Sequence, residues 1–328
     1  MPFSDRCGHS QELPARGGPV RRLHIRTVEG VQIGGPWRRQ SGEGCQRPDH
    51  GRDRRKNVGR PNESGGRLHG GAAKLNDVRI SRLHVYPVKG CRGIDVARAE
   101  VHITGLAIDA IHDREWMVVD RHGRFVTQRE YPRLALIATT IDDRSLTLAA
   151  PGVGTIQLPR ALPGESSQGV RVWHSNVRGF DAGDAAARWI SAFLGAELRI
   201  VRFDHSRQRM CNPDYAGDSG AHTLFADGYP LLVIGQASLD DLNARLTAKG
   251  AKPLPMNRFR PNVVVAGLDP YAEDHLDTVE SDGVTLRLVK PCVRCKVTTT
   301  DQATGYVGFE PLPTLSTYRR DDALAGVT

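Results

Sequence analysis

The sequence predicts a mainly β protein with a few helices (α+β), built as β-barrel units behind a disordered basic leader. Three observations predict it. Short runs of alternating apolar and polar residues recur at roughly ten-residue spacing between residues 79 and 180, with Gly and Pro between them. Only two stretches carry a helical period with plausible caps. Residues 1–77 carry neither period and are rich in Gly, Arg and Pro, so they cannot bury enough apolar surface to offset chain entropy.

Order is expected to begin at Val78. Residues 79–86 alternate as a half-buried strand should, and Pro87 stops it. Lys89-Gly90-Cys91-Arg92-Gly93 then forms a glycine-flanked loop with two cations, suited to a turn or to an anion. Strands follow at 99–103, 115–119, 134–140, 145–149, 155–158, 170–173 and 177–180. Within them, residues 112–116 and Thr127-Gln128-Arg129-Glu130-Tyr131-Pro132-Arg133 are dense in charge. Residues 184–194 read as a helix with Asp184 as N-cap, an apolar face of Trp189, Ile190, Phe193 and Leu194, and Gly195 as stop. A strand at 198–203 leads to an irregular loop at 204–222 that borders a site. Next come a buried strand at 231–234 and a helix from Ser238, its N-cap, to about 248. Arg258-Phe259-Arg260-Pro261-Asn262 precedes a buried strand at 263–266, and strands near 277–279 and 284–289 complete the series.

Composition removes several function classes. No apolar run approaches the roughly 18 residues of a membrane helix, and the N-terminus lacks a signal peptide's apolar core. Residues 1–77 hold 15 Lys/Arg and 8 Asp/Glu, while the other 251 residues hold 30 and 29. Seven of the eight net positive charges therefore belong to the leader, and the near-neutral body shows no nucleic-acid footprint. Six cysteines with only one close pair are not a disulfide framework, and a reducing cytoplasm fits them best.

That close pair lies in Lys290-Pro291-Cys292-Val293-Arg294-Cys295-Lys296-Val297-Thr298-Thr299, after one β-like run and before a β-branched one. Its spacing suits half of a zinc site, a redox dithiol, or one thiolate ligand to a transition metal held by a cofactor. Equally, it suits two small buried residues on a strand.

Six stretches taken together resemble one family. They are Tyr86-Pro87-Val88-Lys89-Gly90-Cys91-Arg92-Gly93, Asp113-Arg114-Glu115-Trp116, the Thr127 to Leu134 run, Phe225-Ala226-Asp227-Gly228-Tyr229-Pro230-Leu231-Leu232, Arg258 to Asn262, and the Cys292 to Thr299 run. In this order they are similar to the MOSC-domain proteins, which include hydroxylaminopurine-detoxifying and amidoxime-reducing members. The resemblance implies an N-terminal MOSC β-barrel domain at 78–203 and a MOSC domain, C-terminally truncated, at 204–328. It implies a molybdenum cofactor (Mo-molybdopterin) ligated by Cys295 as the catalytic residue, with Cys292 packed beside it. The cofactor would be held by Lys89, Gly90, Arg114, Asp227, Gly228, Tyr229, Arg260 and Asn262, and Arg294 would neutralise the centre or serve the loop. At the level of the family it also implies pyridoxal phosphate binding. The implied reaction is reduction of the N–O bond of a small N-hydroxylated compound, with electrons from a separate ferredoxin, flavodoxin or reductase. The alternatives are a cofactor or sulfur carrier without turnover, or a non-functional fragment.

Overall fold

In the computed structural model, residues 22–24, 26–27, 32–34, 78–142, 144–160, 167–281, 283–324 and 326–328 are described. Of the leader, these include β1 (Arg22–His24), β2 (Arg26–Thr27) and β3 (Gln32–Gly34), each running parallel to a strand of the body. The rest of residues 1–77, on which the expectation of disorder bears, lies outside the described residues.

The body opens with β4 (Arg79–Val85), whose Ile80, Leu83 and Val85 are fully buried. Then come β5 (Ile94–Val96), β6 (Arg98–His102), β7 (Gly105–Ile108), β8 (Ile111–His112) and β9 (Trp116–Asp120). β10 (Ala138–Ile141), β11 (Ser145–Ala150) and β12 (Gly154–Pro159) form an antiparallel meander. β13 (Gln168–Val172), β14 (Ser175–Asp181), α1 (Asp184–Leu194) and β15 (Leu198–Phe203) follow, and β15 pairs back onto β9. Trp189, Ile190 and Phe193 of α1 pack on Trp116, Leu134, Leu146 and Ile200, an apolar core that fastens the helix to both sheets.

The second half holds β16 (Arg209–Met210), α2 (Pro213–Ala216), β17 (His222–Thr223) and β18 (Val233–Gly235). After α3 (Gln236–Ala248) come β19 (Val263–Ala266), β20 (Thr278–Ser281), β21 (Val284–Arg287), α4 (Leu312–Leu315), β22 (Arg320–Asp321) and β23 (Gly326–Val327). Among the described residues no helix is long and apolar enough to cross a membrane.

Several local expectations need correction. Gly183, not Asp184, caps α1; Asp184 is the first helical residue, and Arg199 donates to it at 2.9 Å. α3 starts before Ser238, which lies within the helix and donates to Glu273 instead of capping. The strand expected at 134–140 begins at Ala138, because Pro132 starts a 3-10 turn over Pro132–Leu136. The loop at 204–222 contains a two-residue hairpin and a helical turn.

One pairing sets up everything that follows. β4 pairs antiparallel with β19, Leu83 opposite Val263, and β19 runs parallel to β18. The first strand of the N-terminal half therefore sits in a sheet of the C-terminal half, with Ile80, Leu83 and Val85 sharing a core with Val263, Val265 and Val279. A cut between 203 and 204 divides the sequence but not this sheet. The loops that follow β4 and precede β19 are consequently brought side by side.

Candidate functional site

A cleft of about 1130 Å³ opens where these loops meet. Lys89, Gly90, Arg114, Asp227, Gly228, Tyr229, Arg260, Asn262, Arg294 and Cys295 all line it, so all ten residues singled out in the sequence are brought together.

The first wall is the loop after β4. Lys89 N–H donates to Trp116 O at 2.8 Å, and Gly90 adopts φ +85°, which a side chain would strain. This turn aims Lys89 inward, where Nζ donates to Phe225 O at 2.9 Å and to Asp227 Oδ1 at 2.5 Å. Among the described residues the third N–H of the ammonium meets no protein acceptor. Burial pulls the Lys89 ammonium below its ordinary range, and Asp227 opposes that pull. Asp227 also accepts from Trp173 Nε1 at 2.9 Å. Its side chain is 74% exposed and lines the open cleft. Burial there pushes its carboxyl upward, but the Lys89 ammonium and its hydrogen bond hold it well below the carboxylate range.

The second wall is a buried network. Arg114 and Arg260 both adopt left-handed backbone, at φ 50° and 55°, a strain that clusters where structure over-determines a residue. Each guanidinium lies 4.3 Å from the Tyr86 ring centre. Arg114 donates to Asp113, to Asn262 Oδ1 at 3.0 Å and to Arg260 O at 3.2 Å, while Arg260 donates to Cys91 O at 2.6 Å. Burial pushes the Tyr86 hydroxyl up to about 12 despite the two cations. Asn262, expected among the cofactor-binding groups, spends its amide inside the fold. It accepts from Arg114 and from Leu232 N, and donates to His84 O and Asp113 Oδ1. It orients Arg114 instead of facing the cleft with free donors.

The third wall carries the thiols. Both cysteines are free and exposed, and residues 288–295 run as irregular chain, so they are not buried strand neighbours. The β-branched residues after Cys295 do not form a strand either. They make a 3-10 turn, Lys296–Thr299, because the Thr298 and Thr299 hydroxyls donate back to the Cys295 and Lys296 carbonyls. Arg294 turns away to donate to Phe259 O at 2.9 Å, and Val327 O accepts its N–H at 2.6 Å, so it anchors the loop.

With this geometry in view, comparison with known proteins is specific. Residues 77–197 match the MOSC N-terminal beta barrel domain, and residues 220–328 match the MOSC domain. The chain belongs to the MOSC family. Human mitochondrial amidoxime-reducing component 1 is 38% identical over 250 residues, spanning 74% of this chain and 72% of the human one. The bovine mitochondrial amidoxime reducing component 2 is 36% identical over 248 residues, 74% of this chain and 73% of its own. Mouse mitochondrial amidoxime-reducing component 1 is 38% identical over 248 residues, again 74% and 72%.

The residues of this MOSC cleft fit an anionic, acceptor-rich cofactor. Arg258 Nε, Arg260 Nη2 and Arg294 Nε are buried around it with no hydrogen-bond partner. Among the lining residues Lys and Arg outnumber Asp and Glu. A side chain at Gly228 would meet no protein atom within 4 Å, so that wall is open to a ligand.

Residues that sequence reasoning left out do much of the holding. Arg258 donates to Thr299 O and Asp301 Oδ2, both at 2.9 Å, and so fixes the turn after Cys295. Arg209 threads under the floor, donating to Ala226 O and Asp227 O at 2.6 Å and to Thr223 Oγ1 at 2.7 Å. Arg258 stands in a stretch the sequence did single out, whereas no local signal marks Arg209, since an arginine on a short strand is usually solvated. At the rim, Arg129 lies 4.7 Å above Trp173, and Lys290 lies 4.4 Å above Tyr215. Burial pushes the Tyr229 hydroxyl up to about 12, leaving a neutral donor at the cleft wall.

Proposed function

We propose that this chain is an oxidoreductase that reduces the N–O bond of small N-hydroxylated compounds, with a molybdenum cofactor held in the cleft and Cys295 as its metal ligand. The names of the relatives, amidoxime-reducing components, support the reaction class. One observation carries the cofactor reading: an exposed thiol shares a cleft with Lys89 and Arg114 from one half of the chain and with Arg258, Arg260 and Arg294 from the other, and each of the last three leaves a guanidinium nitrogen buried and unpartnered. Soft thiolate ligation suits such a metal.

When bound, the cofactor supplies the two-electron reduction. The chain supplies position and charge. Lys89, with its spare N–H, and Arg260, with an unpartnered Nη2, offer cationic donors for a phosphate or other acceptor group. Asp227 opposes the effect of burial on the Lys89 ammonium and holds it by a hydrogen bond. Arg114, locked by Asp113 and Asn262, adds fixed positive charge that needs no reorganisation on binding. Arg258 and Arg294 hold the Cys295 segment from either side. Tyr229 presents a hydroxyl that stays protonated at neutral pH. The substrate would enter past Tyr229, Lys290 and the α2 loop, and electrons would come from a separate electron-transfer protein.

The test is metal content and turnover of the purified chain. Molybdenum per chain and amidoxime reduction with a reduced redox partner are both expected for the parent. Cys295→Ser should abolish molybdenum-dependent reduction, and a Cys295→Ser chain with full activity would sink the assignment.

A further inference from the structure

The thiol turn and the cation loop are far apart in sequence, so something must hold their spacing. Gln128 and Gln302 lie between them, 1% and 5% exposed. Gln128 Nε2 donates to Gln302 Oε1 at 3.1 Å, and Gln302 Nε2 donates to Gln128 Oε1 at 2.9 Å. The second proton on each nitrogen is also used: Gln128 Nε2 donates to Gly90 O at 2.7 Å, and Gln302 Nε2 donates to Thr300 O at 3.0 Å. Reversing either amide would set nitrogen against nitrogen or oxygen against oxygen, so the orientation is forced. Arg92 adds a bond to Gln302 O at 3.3 Å.

We infer that Gln128 and Gln302 are positioning residues: their reciprocal amide pair sets the spacing between the Lys89-Gly90 loop and the turn that carries Cys295. The anchor points carry the argument. Gly90 follows the buried ammonium of Lys89, and Thr300 closes the turn that Cys295 begins, with Thr300 N donating to Val297 O at 3.1 Å. The pair is closed to water and fully satisfied, and each amide comes from a different half of the chain. Losing one amide orphans the other, whereas losing both removes the demand altogether. That asymmetry makes the pair testable. The inference rests on the functional reading only in treating Cys295 as the thiol whose position matters.

The readout is the rate at which iodoacetamide alkylates Cys295 in the metal-free chain, resolved from Cys292 by peptide mass spectrometry. Gln128→Met and Gln302→Met are each expected to speed alkylation about three- to tenfold, the fold-change of one lost buried hydrogen bond. The double variant should match either single, not the product of the two. If Gln302→Met fails to fold, Gln302→Asn, which keeps the amide but pulls it out of reach, replaces it and should show the same roughly three- to tenfold increase. Rates within about twofold of the parent in a folded chain, or multiplicative effects, overturn the inference. A parent chain that binds no molybdenum would sink the functional reading and leave this measurement standing.

Discussion

Asn262→Asp exchanges one NH2 for an oxygen and leaves shape almost unchanged. In the fold Asn262 is 1% exposed. Its Oδ1 accepts from Arg114 at 3.0 Å and Leu232 N at 3.2 Å, so Nδ2 must be the atom facing Asp113 Oδ1 at 3.0 Å and His84 O at 3.2 Å. An ionised Asp at this position would hold one carboxylate oxygen against two acceptor oxygens, His84 O and Asp113 Oδ1, in a buried site. Keeping a proton restores one donor, so the new carboxyl's folded pKa is raised. The sign follows: above about pH 4 the unfolded chain releases the proton and the folded chain keeps it, so stability falls as pH rises. The loss grows by about 1.4 kcal/mol per pH unit and reaches about 4 kcal/mol at pH 7. That is a ceiling, because the Arg114 guanidinium favours the ionised form. Near pH 4 only one lost hydrogen bond remains, worth about 1 kcal/mol. Urea unfolding of parent and variant at several pH values measures the difference directly. A difference that stays flat between about pH 4.5 and 7.5 would refute the claim that the Asn262 amide nitrogen faces a carboxylate.

Three further outcomes follow from the same geometry. Arg202 donates to Glu115 at 2.7 Å and His205 lies 2.9 Å from it; burial pushes that carboxyl up, but these partners bring it down to about 2. Its stabilisation is present above the ordinary value and lost as pH falls from about 4.5 through 2, so Glu115→Gln should remove this acid limb and cost about 3 kcal/mol at pH 7, measured by urea midpoints. Gly90→Ala forces a side chain into φ +85° with Leu134 Cδ1 at 3.3 Å. Its cost of about 1–2 kcal/mol should appear as a lower melting temperature, and no change in melting would contradict the turn geometry. Arg209→Ala frees the carbonyls of residues 224, 226 and 227, and should accelerate amide hydrogen exchange across that segment while β10–β12 stay protected.

Local pattern along the chain makes much of this protein legible. Period-two alternation places β4, short strand-like runs place β11 and β15, and an apolar run places β19, each within a residue or so, while the apolar face with its closing Gly195 bounds α1. The resemblance carried by six motifs picks out ten residues that do line one cleft. The strand edge near Pro132 and the run after Cys295 escape such a reading for a related reason. There a ring or a threonine hydroxyl competes with the strand, and propensity alone does not weigh that competition.

What the tertiary structure alone decided is which group satisfies which. The pair of thiols between two apparent strands became an exposed segment leading into a 3-10 turn, held by Arg258 from elsewhere and by the bond of its own Arg294 to Phe259 O. Asn262 at the cleft found Arg114 to accept from, and Gln128 found Gln302 across 174 residues. The physical reason is reach. Backbone preference and periodicity act over a few residues, so they can be read along the chain. A buried polar group takes whatever partner the packed sheets bring within about 3 Å, and here that was set by β4 crossing to pair with β19.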